Sequence, residues 1–553
     1  VFYVLFVPPG FSCVPFVFPV GFLPPDVGEF GVPIDLIESV GLDTSEPPAP
    51  VALARIRTRI ESSDSEGSIA VGEGPLQLTN RGGLAERVDS SAPVESVNRA
   101  VPDKSAESKS PVDSSNAEGP VDAGDESTAE VGETLVPQGL ITANDQRAFQ
   151  TTNVDATLSL LEEGRNAEFS DYLGLKQTGV RDRQTLQSGL EKIEAETQEV
   201  YVVVYVAVQD DKLELVLMSS SGEPIRRSVV EATPEKLSST IHNLYLKITN
   251  PREHTTKGYR EPAQQLYQWM IQPIESDLQQ MGATTLLFSL GKGLRSIPIA
   301  TLWDGQQHLI EKYNYSIIPT TSLVDMKYSS LKETDVLAMG ASEFQDKAAL
   351  PAVPTELSTI TTLWPGQSFL NESFTLDNLR NQRQQKNYEV IHLATHADFQ
   401  PGTSNDSYIQ LWDGRLPISQ LPGLNWDTPP VELLVLSACR TAVGDQNAEL
   451  GFAGLAIQAG VKSAIASLWH VNDESTLALM SQFYNDLHKS SIKAGALRKA
   501  QLAMLQGKVR LESGQLHTEY GTVPLPPEFE GVTSADFSHP YYWSGFAMIG
   551  APW

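Results

Sequence analysis

Two short segments carry side chains that could perform covalent chemistry together. One is YEVIHLATHADF (388–399), which delivers His396, and the other is VELLVLSACRTA (431–442), which delivers Cys439. Each reads as an apolar strand ending abruptly in small and polar residues. A thiol becomes a nucleophile when a base takes its proton or its surroundings lower its pKa. An imidazole at the end of an adjacent strand is such a base, and the chemistry would be acyl transfer through a thioester. Against this stands the plain alternative that a lone buried cysteine is a small core residue. His392 and His396 lie four residues apart, a metal-binding spacing on a helix. On a strand at about 3.3 Å per residue they would stand ~13 Å apart, too far for one ion. Leu393 follows His392, so the zinc-protease pattern HExxH is absent. His392 is therefore read as a packed strand residue.

The elements that must position this pair follow an alternating pattern. Strands are expected at 285–290, 313–318, 335–339, 388–394, 432–436 and 463–468, and helices at 354–363, 376–384, 450–459, 474–487 and 493–505. Strand and helix in this rhythm give an α/β fold with a largely parallel sheet covered by helices. Sites in such sheets gather beyond the carboxyl ends of the strands, where His396 and Cys439 fall. Upstream, helices are expected at 153–164, 184–197, 237–248 and 262–280. VYVVVYVAV (200–208) and LELVLM (213–218) read as a hairpin turned at Asp210-Asp211.

Charged residues flank the two motifs. Asp398, Arg440, Asp445 and Glu449 are candidates for substrate binding, against the plainer roles of solvated charge or helix capping. A cleft lined by Asp445 and Glu449 would be negative and would tolerate basic or neutral side chains. Asp473 opens the helix expected from Glu474, where negative charge suits the helix dipole. Trp469 is expected to pack in the core, and Ser437 and Thr441 to bond locally.

Composition narrows the remaining possibilities. The net charge of −29 over 553 residues speaks against nucleic acid as a partner. The two cysteines, Cys13 and Cys439, are too far apart to suggest a disulfide framework. Residues 1–25 are apolar but contain six prolines, so no uninterrupted helix of about 20 residues can span a membrane there. The first basic residue is Arg55, so the charged start of a secretory signal is also missing. From Gly31 to Ala148 there is no Phe, Trp or Tyr, and the run is rich in Ser, Glu, Asp and Pro. Such a stretch cannot bury enough apolar area to offset its chain entropy, and order is expected near Phe149.

Several blocks together resemble a known family. Ala-Cys439-Arg, with His396 upstream, resembles the signature around the caspase nucleophile. The fuller match is to the CHAT family, caspase-like cysteine proteases first described alongside tetratricopeptide repeats in bacteria. It is carried by GKGLRSIPIATLWDG, HLATHADF, LLVLSACRTAVGD, ELGFAGLAIQAGVKSAIASLWHVNDESTLALMSQFY and the closing HPYYWSGFAMIGAPW. The resemblance implies a caspase-like, mostly parallel sheet flanked by helices over residues 259–553. Before it come a small α+β region at 146–258, whose hairpin packs on the protease domain, and a disordered segment at 1–145.

The resemblance further implies a cysteine endopeptidase with a Cys-His dyad. His396 takes the proton from Cys439, the thiolate attacks the peptide carbonyl, and the backbone N–H groups of Cys439 and Ala397 hold the oxyanion. It calls for no metal or cofactor and a protein or peptide substrate. The polar, glycine-bearing runs 402–414 and 444–448 after the two motifs are expected to be mobile loops that an activating partner or a cut orders. Two departures stand out: Ala397 replaces the glycine usual after the catalytic histidine, and no tetratricopeptide repeats are visible. The competing readings are a catalytically silent scaffold on the same fold and a hydrolase or acyltransferase acting on a non-peptide ester.

Overall fold

The computed structural model describes residues 139–176, 179–441, 445–529, 532 and 534–553, with the main chain alone for Cys439 and Gln446. The expected disordered segment lies outside the described residues up to position 138. Its last part does not wait for Phe149. Leu140 is buried, and helix α1 (Ala143–Ala148) is capped by Thr142, which accepts the N–H of Asp145. Asp145 pairs at 3.7 Å with Arg165, and both side chains are buried.

Helices α2 (Val154–Leu173) and α3 (Arg183–Thr197) follow, capped by Asn153 and Asp182. Next comes a three-strand meander, β1 (Tyr201–Val208), β2 (Leu213–Ser219) and β3 (Ile225–Val229). Every residue of β1 and β2 is buried, which explains their near-continuous apolar sequence. After α4 (Pro234–Thr249), the helix expected over 262–280 is in fact two. α5 (Arg260–Met270) and α6 (Glu275–Met281) flank a tight turn holding Pro273, which lacks the N–H that a continuous helix needs.

The α/β alternation then runs β4 (Thr285–Leu290), α7 (Leu309–Lys312), β5 (Asn314–Ile318), β6 (Val336–Gly340), α8 (Val353–Leu363) and β7 (Gly366–Leu370). It continues through α9 (Leu376–Gln385), β8 (Val390–Phe399), the hairpin β9 (Tyr408–Leu411) and β10 (Gly414–Pro417), and β11 (Leu433–Thr441). After β11 come α10 (Gln446–Ala453), α11 (Leu455–Ala459), β12 (Ser463–Ser467), α12 (Asp473–Leu487) and α13 (Lys493–Leu505). A separate small sheet, β13 (Arg510–Glu512), β14 (Gln515–Thr518), β15 (Gly521–Pro524) and β16 (Ser534–Asp536), precedes the last strand, β17 (Phe546–Gly550).

The main sheet runs β10-β9-β8-β11-β12-β17-β5-β4-β1-β2-β3, with β6 and β7 branching from β8. Its central pairings are parallel, with antiparallel pairs at the two ends and at β12–β17. The fold class is thus the α/β class expected. The meander meets the rest of the chain through the edge of β1. β1 pairs in parallel with β4, from Tyr201↔Thr285 to Val206↔Leu290, and extends the same sheet.

The sheet forks at β8. Residues Val390–Ala394 pair with β6, while Ala397 and Asp398 pair with Ile409 and Tyr408 of β9. At the fork the ladder to β11 slips by one residue. Leu393 faces Leu436, but His396 faces Ala438, so β8 carries an extra residue there, a β-bulge. Gly340 makes the fork possible. A Cβ at this position would stand 2.6 Å from the Ala394 carbonyl oxygen and 2.8 Å from Cγ1 of Val353.

Candidate active site

His396 sits just past the fork, on the only stretch where β8 has left one neighbour and not yet met the next. β8 and β11 run further than their sequences suggested, to Phe399 and Thr441. Both candidate residues therefore lie within strands, not beyond their ends. Cys439 pairs with Ala397, one residue past His396 and its partner Ala438. Adjacent strands lie about 4.8 Å apart, so the two backbones are close neighbours.

The His396 ring is 7% exposed and is held from several sides. Its Nε2 lies 2.9 Å from the carbonyl oxygen of Ala348. A carbonyl only accepts, so Nε2 carries the proton and Nδ1 keeps the lone pair of a base. Phe344 packs on the ring with centroids 4.7 Å apart, and the exposed His470 stacks on it at 5.7 Å with planes inclined by 25°. Burial first, and then the nearby Lys347 ammonium, hold this imidazole below its ordinary pKa. The Ala348 carbonyl and the carboxylates of Asp398 and Asp346 work the other way. The neutral form, the one that can accept a proton, is therefore favoured near pH 7.

Asp398 is paired with Lys347 at 2.6 Å, both side chains being largely covered. Burial alone would raise its carboxyl. The Lys347 bond and a hydrogen bond from Tyr408 outweigh that and keep it below the usual range. Arg440 is exposed and stands opposite Asp398 in the ladder. Asp445 caps α10, accepting the N–H groups of Asn447 and Ala448 at 2.9 and 3.0 Å.

Glu449 corrects the sequence reading. It is 1% exposed and accepts a 2.6 Å hydrogen bond from Ser296, so it faces the interior and cannot meet a substrate at the surface. Asp398 is balanced by Lys347, and Asp445 is engaged as the cap of α10. The oxyanion expectation meets a similar obstacle. Ala397 has ladder partners on both sides, Cys439 and Ile409, so its N–H points in the plane of the sheet toward a neighbouring strand.

The rest of the surroundings came from positions that the sequence did not single out. Phe344, Lys347 and Ala348 lie on the loop after β6, beyond a strand's carboxyl end, which is the one signal that could have marked them. His392 is fully buried, as expected of a packed residue, but it is also paired. Its Nε2 lies 2.8 Å from Glu356 on α8 and its Nδ1 3.1 Å from the hydroxyl of Tyr484 on α12. Trp469 is buried and donates to the carbonyl of Tyr541 at 3.0 Å. Thr441, expected to bond locally, instead reaches the end of the neighbouring strand, its N–H donating to the Leu468 carbonyl at 3.2 Å.

The run 402–414, expected as an open loop, is mostly built. Asp406 accepts from the Thr403 backbone and hydroxyl at 2.7 and 2.9 Å, and the β9–β10 hairpin follows. Of the run 444–448, position 444 lies outside the described residues, and Asp445 and α10 order the rest.

Residues 260–551 match the CHAT domain, which covers more than half of the 553-residue chain. The chain belongs to the CHAT domain family. His396, Cys439 and every flanking candidate fall within the CHAT domain, whereas β1, β2 and β3 precede it and still share its sheet. No curated protein sequence matches the chain.

Among solved structures, the chain is similar to the separase of the separase–securin complex from Saccharomyces cerevisiae, at 9% identity and a TM-score of 0.43. That match covers 75% of this chain, which itself spans about a third of the separase chain (35%). The chain is also similar to the Arg-specific cysteine proteinase gingipain R, at 8% identity and a TM-score of 0.33, over 57% of this chain and 75% of the other. The pro- and mature domains of RgpB from Porphyromonas gingivalis are similar at 9% identity and a TM-score of 0.33, over 57% of this chain and 76% of theirs. No helix among the described residues is long and apolar enough to cross a membrane.

Proposed function

We propose that this CHAT protein hydrolyses peptide bonds, with Cys439 as nucleophile and His396 as its base. The observation that carries the reading is the Ala348 carbonyl on Nε2 of His396. It fixes the tautomer whose free Nδ1 can take a thiol proton, on a strand paired directly with the one that bears Cys439. His396 accepts the thiol proton, the thiolate adds to the peptide carbonyl, and the protonated imidazole gives its proton to the leaving amine. Water then attacks the thioester, with His396 again as base, and frees the acid.

The present arrangement supports a resting state. His396 is covered by Phe344 and His470, and Ala397 is locked in the ladder beside Cys439. For the N–H groups of Ala397 and Cys439 to meet an oxyanion, this last stretch of ladder has to part. Binding of an activating partner, or a cut, is a means to part it. The isolated, uncut chain is therefore expected to cleave slowly.

The test is cleavage of a broad peptide library, with partners supplied, by wild type, C439A, H396A and the double variant. Each single variant should abolish turnover, and the double should be no worse, because the two residues act as one unit. Cys439 of the folded wild type should also react with iodoacetamide at pH 6–7 faster than an ordinary thiol of pKa about 8.5, and H396A should slow that reaction. A Cys439 that resists alkylation until the protein unfolds, with no turnover, would replace the protease with a silent scaffold.

A further inference from the structure

His396 is held between two loops that come from distant parts of the chain. The loop after β6 brings Phe344 and the Ala348 carbonyl, and the turn after β12 brings His470. One side chain ties these two loops together. Asp473, the first residue of α12, accepts the backbone N–H of Ala352 at 2.5 Å through Oδ2. Ala352 directly precedes α8, and no side chain from its own N-terminus caps that helix. Asp473 thus takes up one of the N–H groups that a helix start leaves without a partner. Ala352 is fully buried, so water offers no replacement.

The path from Ala352 back to Ala348 is short and stiff. Pro351 fixes one backbone angle, and the Leu350 N–H donates to Ser342 at 2.9 Å. A shift at Ala352 is therefore passed on to the Ala348 carbonyl four residues earlier. The helix α8 itself has a second contact, the 2.8 Å approach of Glu356 to His392.

We propose that Asp473 is a positioning residue, which sets the tautomer and orientation of His396 through Ala352 and the Ala348 carbonyl. The inference rests on the reading of His396 as the base, and it gives that reading a structural cause outside the two catalytic motifs.

The test uses the full chain with nitrogen-15 histidine. The His396 tautomer is read by NMR, assigned by its loss in H396A, and alkylation of the Cys439 peptide is followed by mass spectrometry, which separates it from Cys13. Wild type should show the Nε2–H form. D473A should populate the Nδ1–H form and slow alkylation at pH 7 about tenfold, the size of effect that one lost hydrogen bond carries. D473N keeps an acceptor oxygen at the same reach and should restore both readouts. Should D473A fail to fold, D473S serves, since its hydroxyl is one atom too short to reach Ala352. A wild-type tautomer and alkylation rate in D473A or D473S would overturn the proposal, as would a D473N no better than D473S. A tautomer change in D473S, in a protein whose wild type never cleaves peptides, would sustain the positioning role while the protease reading fell.

Discussion

Among single residues, the buried histidines outside the site offer the sharpest pH test. His308 and His539 are 1% and 6% exposed. Burial pushes each imidazole down to about 4, helped by Arg260 at His308 and by His254 at His539. In the unfolded chain each titrates near 6.5. As pH falls through 6.5 the unfolded chain takes up the protons first, so folding loses stability between 6.5 and 4 and keeps it above. Each shift corresponds to ~3 kcal/mol once the pH is below both values. Urea midpoints measured from pH 7.5 to 4.5 should fall more steeply for wild type than for H539Q, and equal slopes would show that His539 is not charged on unfolding. At this scale the sequence was partly legible. Cys439 and His396 stood out as candidates because an apolar strand pattern running into a cysteine or a histidine is a local signal. Glu449 could not be read, because its partner Ser296 lies 153 positions away. Nor could Ala348, whose part in the site is played by a backbone carbonyl that every residue type possesses.

At the scale of elements, periodicity gave the type of most helices and strands but missed what the fork demands. β8 looked finished at Ala394 because small and polar residues follow. It runs on to Phe399 because β9 replaces β6 as its neighbour, a partner supplied by the tertiary fold. The strands β7, β9 and β10 escaped notice for the same reason. They are only four or five residues long, β7 and β10 lie partly exposed at edges, and β9 is too short to show a period. The small helix α1 was misjudged because its neighbourhood lacks aromatics, yet it is held by the Thr142 cap, the buried Ala148 and the Asp145–Arg165 pair. A chain beginning at Gln146 would delete Asp145 and leave Arg165 buried without its carboxylate, although Arg165 keeps its bonds to Ser289 and Val206. Stranding one member of a buried pair costs about 3–5 kcal/mol. That chain should melt several degrees below one beginning at Gly139. Equal melting temperatures would show that the Asp145 pair contributes nothing.

At the scale of the whole molecule, the family boundary and the physical boundary do not coincide. The CHAT domain begins within α5, but β1 is bonded to β4 along six residue pairs and the sheet continues through it to β3. The meander and the site region should therefore unfold together. Heating followed by far-ultraviolet circular dichroism and by tryptophan fluorescence should give coincident transitions for the described residues. Trp269, Trp303, Trp364, Trp412, Trp426, Trp469, Trp543 and Trp553 all lie outside the meander, so an earlier loss of β signal alone would mean that it melts by itself.

The place of β17 in that sheet has a consequence for how the protein is made. β17 lies between β12 and β5, and among the described residues no other strand joins the half that carries His396 and Cys439 to the half that carries the meander. A nascent chain emerges from its N-terminus onward, so all of β17's neighbours leave the ribosome before it does. Until Phe546–Gly550 emerges, the sheet has a gap at its middle, and the site-bearing half waits beside an unfilled slot. Chains halted just before Phe546 should be digested throughout by a nonspecific protease, whereas chains released after Gly550 should resist it. Synthesis order would then act as a timer that keeps the two halves of the sheet apart until β17 is there to join them.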